Sequence, residues 1–214
     1  MSRVRVEGFT VSLDGYGAGP AQDLEHPLGI GGGALHKWLV ATRSWRRMHG
    51  QDGGDDGIDE AFAARAHRGV GAWIMGRNMF GPVRGAWPED AWRGWWDDDP
   101  PFHGPVFILT HHARPALEMA GGTTFHFVTD GPRAALAQAR AAAGGRDVQV
   151  SGGADTIRQF LQAGLVDELH LAIRPILLGS GSSLFQGLDL VALGYECVES
   201  AASDQAMHVV LRRR

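Results

Sequence analysis

Val148-Gln149-Val150-Ser151-Gly152-Gly153-Ala154-Asp155-Thr156-Ile157 passes from a β-branched run, through paired glycines, into a helix-forming segment. Val148 to Val150 reads as a strand and Ala154 to Ala163 as a helix, with no loop between them beyond the glycines. Glycine lets a backbone approach a phosphate closely. The free N–H groups and dipole of a helix N-terminus attract its charge. The segment is therefore the best candidate in the chain for holding a dinucleotide pyrophosphate. The other reading is a tight strand-to-helix turn that only glycine fits.

Working outward, strands are predicted at 71–75, 106–110, 124–128 and 168–176, with a helix at 132–143 whose proline suits a first turn. Upstream, Val4 to Leu13 reads as a first strand. Leu35, Trp38, Leu39 and Trp45 give residues 34–48 a helical spacing, and Asp59 to His67 is a second helix with an acidic start. Two closing strands, near 194–200 and 205–213, have no helix between them. Alternating strands and helices imply parallel βαβ units; the closing pair implies an antiparallel hairpin. The expected architecture is a single α/β domain over 1–214. It has three layers, α/β/α, around a mixed, mostly parallel sheet.

The chain has 214 residues, a formal charge of -4 and 44% hydrophobic residues. Weak acidity argues against a nucleic-acid or anionic-membrane binder, which needs a basic face. Met1 to Val6 lacks the apolar core of a signal peptide, and no apolar run reaches membrane-spanning length, so a cytoplasmic location is expected. Cys197 is the sole cysteine. It excludes an intrachain disulfide and is read as a buried structural thiol.

Other motifs divide by context. Gly29-Ile30-Gly31-Gly32-Gly33-Ala34 matches a dinucleotide fingerprint by letter, but no buried strand precedes it. Trp73-Ile74-Met75-Gly76-Arg77-Asn78 delivers an arginine to a sheet edge, where a guanidinium can pair with a phosphate. Thr110-His111-His112-Ala113-Arg114 places polar donors at the next strand end; adjacent histidines serve a metal poorly, and no metal is expected. Residues 81–104 form a long loop with Trp87, Trp92, Trp95 and Trp96 beside Asp97-Asp98-Asp99. No G-x-S-x-G elbow supports a serine hydrolase.

Taken in order, Ser12-Leu13-Asp14-Gly15, Met75-Gly76-Arg77, Phe107-Ile108-Leu109-Thr110, Ser151-Gly152-Gly153, Gly164-Leu165-Val166-Asp167-Glu168-Leu169 and Pro175-Ile176-Leu177-Leu178-Gly179-Ser180-Gly181 resemble the dihydrofolate-reductase-like superfamily. The likeness extends to the C-terminal reductase domain of the riboflavin-biosynthesis protein and spans about residues 3 to 212. It implies NADPH as hydride donor, a small heterocyclic substrate of pterin or ribosylaminopyrimidine type, and a homodimer. It would place Gly76, Arg77 and Asn78 at the coenzyme phosphates, and Thr110 and His111 at the adenosine 2′-phosphate. Ser151, Gly152, Gly153, Ala154 and Thr156 would lie around the pyrophosphate. The Asp14 to Gly17 turn would lie near the nicotinamide, with Tyr16 and Trp38 against the substrate.

The chain departs from that pattern twice. The first helix, Gly33-Ala34-Leu35-His36-Lys37-Trp38-Leu39, lacks the family's carboxylate, and Ser151 stands where the riboflavin-pathway reductase has an acid. A proton would come from His36, from Asp14 through water, or from solvent. Two competing readings remain. One is a non-catalytic dimeric nucleotide-binding protein on the same fold. The other is a Rossmann dehydrogenase using the glycines at 29–33.

Overall fold

A computed structural model describes residues 2–81, 84–87 and 92–214, so parts of the long 81–104 loop lie outside the described residues. The chain opens with β1 (Val4–Ser12) and a short β2 (Tyr16–Ala18). Three brief helices follow: α1 (Lys37–Val40), α2 (Arg43–Met48) and α3 (Ile58–Ala63). Next come β3 (Val70–Gly76), α4 (Arg77–Phe80), β4 (Pro105–Leu109), β5 (Leu117–Glu118) and β6 (Thr124–Val128). The last third holds α5 (Gly131–Ala142), β7 (Asp147–Gly152), α6 (Ala154–Gln162), β8 (Glu168–Arg174), β9 (Ser182–Ser183), β10 (Tyr195–Ala202) and β11 (Met207–Arg213).

Among the described residues, nine strands form one sheet in the order β10-β11-β8-β1-β7-β3-β4-β6-β5, and β2 pairs with β9. The strands from β8 to β6 are parallel, while β11 runs antiparallel to β8, β10 to β11, and β5 to β6. The expected mixed sheet with its C-terminal hairpin is present.

The helices α5 and α6 cover one face. Leu136, Ala139, Ile157, Phe160 and Leu161 pack there against Val4, Val6, Val11, Ile74, Val148 and Val150. In β1, Val4 and Val6 share a face with Val11 only because the register shifts between Val6 and Phe9. Gly8 sits in that shift at φ 66, a conformation glycine adopts readily. Without the extra residue Val11 would point to the opposite face.

The other face carries two separate blocks. Trp38, Ala63, Ala172 and Ala206 pack near β8 and β11. Trp73, Met75, Phe80, Phe102, Val106, Ile108 and Phe125 pack over β3, β4 and β6, with Trp87, Trp92 and Trp96 against them.

Three expectations need correction. Residues 34–48 are not one helix: a 3-10 turn (Gly32–His36), α1 and α2 replace it. The break lies at Thr42, whose extended backbone caps α2 while its hydroxyl accepts from the Trp45 N–H. A capping threonine stops the preceding turn whatever the apolar spacing around it. The second helix ends at Ala63, short of His67. Cys197 is exposed, because β10 is an outer strand whose residues Glu196 to Ser200 all face solvent.

Candidate functional site

The carboxyl ends of β3 and β7 meet at Met75, which pairs with Gly152. Gly76 follows, and a Cβ there would lie 2.2 Å from the Thr156 hydroxyl. Thr156 is buried over that glycine, which locks the first turn of α6 against the end of β3. Gly152 adopts φ 141 and packs beside Phe9 and Met79, and its peptide bond to Gly153 is cis.

Gly153 differs from its neighbours. Its φ of -72 suits any residue, and a Cβ on it would meet nothing within 4 Å. Neither backbone conformation nor protein packing calls for glycine there. It caps α6 with no side-chain hydrogen bond, so the first amides of a nine-residue helix have no capping oxygen. Asp155 in that turn is drawn aside to Arg158 at 2.5 Å. Ala154 is buried; a Cβ on Gly17 would come within 3.3 Å of its methyl, so the Asp14–Gly17 turn lies beside the start of α6.

One strand further, Gly76 pairs with Leu109, which sets Arg77 and Thr110 at neighbouring strand ends. The Arg77 guanidinium stacks 3.8 Å from the centre of the Trp87 ring. Its Nε and Nη2 are buried without a hydrogen-bond partner. Loss of hydration, and then the nearby Arg84 charge, hold its pKa below the ordinary arginine value. Asn78 accepts a hydrogen bond from Arg84. Thr110 is buried and its hydroxyl accepts from the His112 N–H at 3.2 Å, whereas His111 is exposed. Arg114 approaches both Trp87 and Phe127 at 5.1 Å. Arg114 belongs to the Thr110–Arg114 run of donors expected at this strand end, whereas the Trp87 contact with Arg77 is not legible in the sequence, because a cation–π contact has no periodicity or spacing.

Beyond β7 the pieces are more scattered. Asp14 is exposed, but its carboxylate accepts from the Ser12 hydroxyl at 2.5 Å and from the amides of Leu178 and Gly179 at 3.1 and 2.7 Å. Those bonds, the serine hydroxyl first, lower its pKa. Asp14 is thus an ionised tie between the β1 turn and the 178–179 loop, a poor proton donor. Tyr16 is half-buried in β2, its N–H held by the Ser12 hydroxyl at 3.0 Å. Ser151 is half-buried and is the extra residue where the register of β7 against β3 shifts between Val150 and Gly152. His36 ends the 3-10 turn; its Nδ1 is buried without a partner, and burial lowers its pKa.

Trp38 does not face a cleft: it is wholly buried, and its indole N–H donates to Thr10 Oγ1 at 2.9 Å. Its expected substrate contact is replaced by a core role, since a side chain with no accessible surface cannot touch a ligand without rearrangement. Gly29 and Gly32 serve packing, whereas a Cβ on Gly33 would meet nothing within 4 Å. A Cβ on Gly29 would strike the Gly19 carbonyl oxygen at 2.2 Å, and the strand before them, β2, ends at Ala18. The Rossmann reading is therefore set aside.

The structure brings Gly76, Arg77, Thr110, Gly152, Gly153, Ala154 and Thr156 to one sheet edge. An open glycine, uncapped amides and a guanidinium with unmatched N–H groups form a fit for phosphates on an extended ligand.

Residues 6–209 match the model of the RibD C-terminal domain family. A protein described as a riboflavin biosynthesis protein, from Shewanella sp. PV-4, superposes with a TM-score of 0.61 at 22% identity, over 100% of this chain and 99% of that one. The diaminohydroxyphosphoribosylaminopyrimidine deaminase/5-amino-6-(5-phosphoribosylamino)uracil reductase of Thermotoga maritima superposes with a TM-score of 0.53 at 14% identity, over 100% of this chain and 57% of that one. A stretch of 41 residues, 19% of this chain, is 49% identical to the uncharacterized protein YyaP of Bacillus subtilis (strain 168) and covers 22% of it. The chain thus spans little more than half of the Thermotoga protein, and the YyaP match is a short segment. At these identities the structural likeness is one of fold.

Proposed function

The chain belongs to the RibD C-terminal domain family, and from that membership we propose that it is a reductase using NADPH to reduce a small planar heterocycle. The fold is dihydrofolate-reductase-like. The substrate would be of pterin or aminopyrimidine type, and the protein would act as a homodimer.

One observation carries the reading: Gly153 borders open space that no protein atom fills, at the uncapped start of α6 and one strand from Arg77. NADPH would supply the hydride. The amides of 154 to 156 and the Arg77 guanidinium would hold its phosphates, with Thr110 and His111 toward the 2′-phosphate. Asp14 ties down the turn that borders the nicotinamide position. Ser151 would lie beside the pyrophosphate, and His36 is the residue that would pass a proton to the substrate. Fixing two flat rings against each other supplies much of such a rate.

The tied carboxylate of Asp14 and the uncharged His36 also favour a second reading, a nucleotide-binding protein without turnover. Oxidation of NADPH by the protein with any pterin or pyrimidine rules that out.

Binding tests the main proposal. Titration of the purified protein should give micromolar NADPH affinity, with NADH at least about tenfold weaker. Gly153→Ala should weaken NADPH by about tenfold or more without loss of fold, since the added Cβ meets no protein atom within 4 Å. Failure of both nucleotides to bind below about 1 mM would end the proposal.

A further inference from the structure

Arg77 is an unusual cation. Among the described residues it makes no ion pair, and two of its guanidinium nitrogens are buried without a protein acceptor. A flexible arginine would not hold that geometry, because burying N–H donors unsatisfied is costly. Trp87 is what lies against it, 3.8 Å from ring centre to guanidinium carbon.

Trp87 is itself anchored. Its indole N–H donates to the His112 carbonyl at 2.8 Å, in the loop leaving the end of β4. The ring meets Phe80 and Phe127 edge-on at 5.9 and 5.2 Å. A residue of the tryptophan-rich segment is therefore pinned to the strand end that carries Thr110, and presents its π face to the arginine of the next strand.

We propose that Trp87 is a positioning residue that holds the Arg77 guanidinium ready for a coenzyme phosphate. Held against the ring, the guanidinium has its Nε and Nη2 covered, and Nη1 is the nitrogen left for an anion. An arriving phosphate meets a guanidinium already held in place, and little rotamer entropy is left to lose. Trp87 touches no reacting atom and acts only through Arg77. The inference rests on the NADPH reading above.

The test is a double-mutant cycle. NADPH dissociation constants and steady-state kcat and KM are measured for the wild type, Trp87→Ala, Trp87→Phe, Arg77→Ala and both double variants. Inorganic pyrophosphate serves as a competing probe. Trp87→Ala should weaken NADPH and pyrophosphate alike by about tenfold, the loss expected for a partly desolvated cation–π contact. Trp87→Phe should cost only about two- to threefold, because a weaker π face remains. kcat at saturating NADPH should stay unchanged. In the Arg77→Ala background either Trp87 substitution should have no further effect, because Trp87 works through Arg77.

Wild-type protein that binds no NADPH would refute the functional reading itself. Wild-type binding with undiminished affinity in Trp87→Ala, or losses that add in full to Arg77→Ala, would refute the role of Trp87. Should Trp87→Ala not fold, the Trp87→Phe cycle decides by the same additivity criterion.

Discussion

His36 is the proton donor of the proposed reaction, yet burial depresses its pKa and no charged neighbour opposes that shift. In the free protein the imidazole is neutral near pH 7, so the fraction able to donate a proton as imidazolium is small. If His36 is the acid, kcat/KM with a turned-over pterin or pyrimidine should rise as pH falls below the ordinary histidine value and level off below the depressed one. His36→Gln should flatten that limb and cost about a hundredfold in rate. A nuclear magnetic resonance titration of the His36 ring gives an activity-independent check. A midpoint at or above the ordinary value would contradict both the burial argument and the pH profile built on it.

At the scale of elements, α1 and α2 are too short to persist alone, and the segment around them depends on side chains that grip the sheet. Trp38 is the main grip: it is wholly buried, bonded to Thr10 and edge-on to His208 at 4.9 Å. Trp38→Ala should destabilise the protein by about 3–5 kcal/mol, as for other large-to-small aromatic changes. Trp38→Phe should cost less but strand the Thr10 hydroxyl, adding about 1 kcal/mol. Urea unfolding followed by circular dichroism measures both. A loss under about 1 kcal/mol for the alanine variant would mean that the segment does not lean on this side chain.

The strands and the helices α5 and α6 were legible because long βαβ units impose both a period and a punctuation. Gly152-Gly153 marked one such boundary and Pro132 another. The 34–48 segment misled because Leu35, Trp38, Leu39 and Trp45 keep a helical spacing across a break made by one capping hydroxyl, at Thr42. Cys197 misled because an apolar residue in a strand says nothing of whether that strand lies at the sheet edge. Of the site, the glycine and arginine motifs could be read because backbone chemistry dictates them. Trp87 meets Arg77 from ten positions further along the chain, and no local rule brings them together.

The whole molecule carries a chain of buried titratable groups that joins α3 to the sheet. The Gly8 N–H donates to His170 Nδ1 at 3.0 Å, and His170 Nε2 lies 3.1 Å from His208 Nδ1. His208 Nε2 then donates to Asp59 at 2.8 Å, and Glu7 approaches His170 Nδ1 at 3.2 Å. Phe62 stacks on both rings, at 4.7 Å from His170 and 4.3 Å from His208, and Arg65 lies over its ring. Burial lowers the pKa of His208 below the ordinary 6.5, and the bond to Asp59 opposes this only in part. A histidine with a depressed folded pKa binds its proton more readily in the unfolded chain. Its contribution to stability is therefore complete above the unfolded pKa and is lost as pH falls from there toward the folded one. Protonating His208 would also place a cation against His170. Stability measured by urea should accordingly drop as pH falls below about 7, and His208→Gln should lose part of that dependence, buried His36 keeping its own share, while being less stable at pH 7. A wild-type curve no steeper than the variant's over that range would show that the buried pair does not couple protonation to the fold.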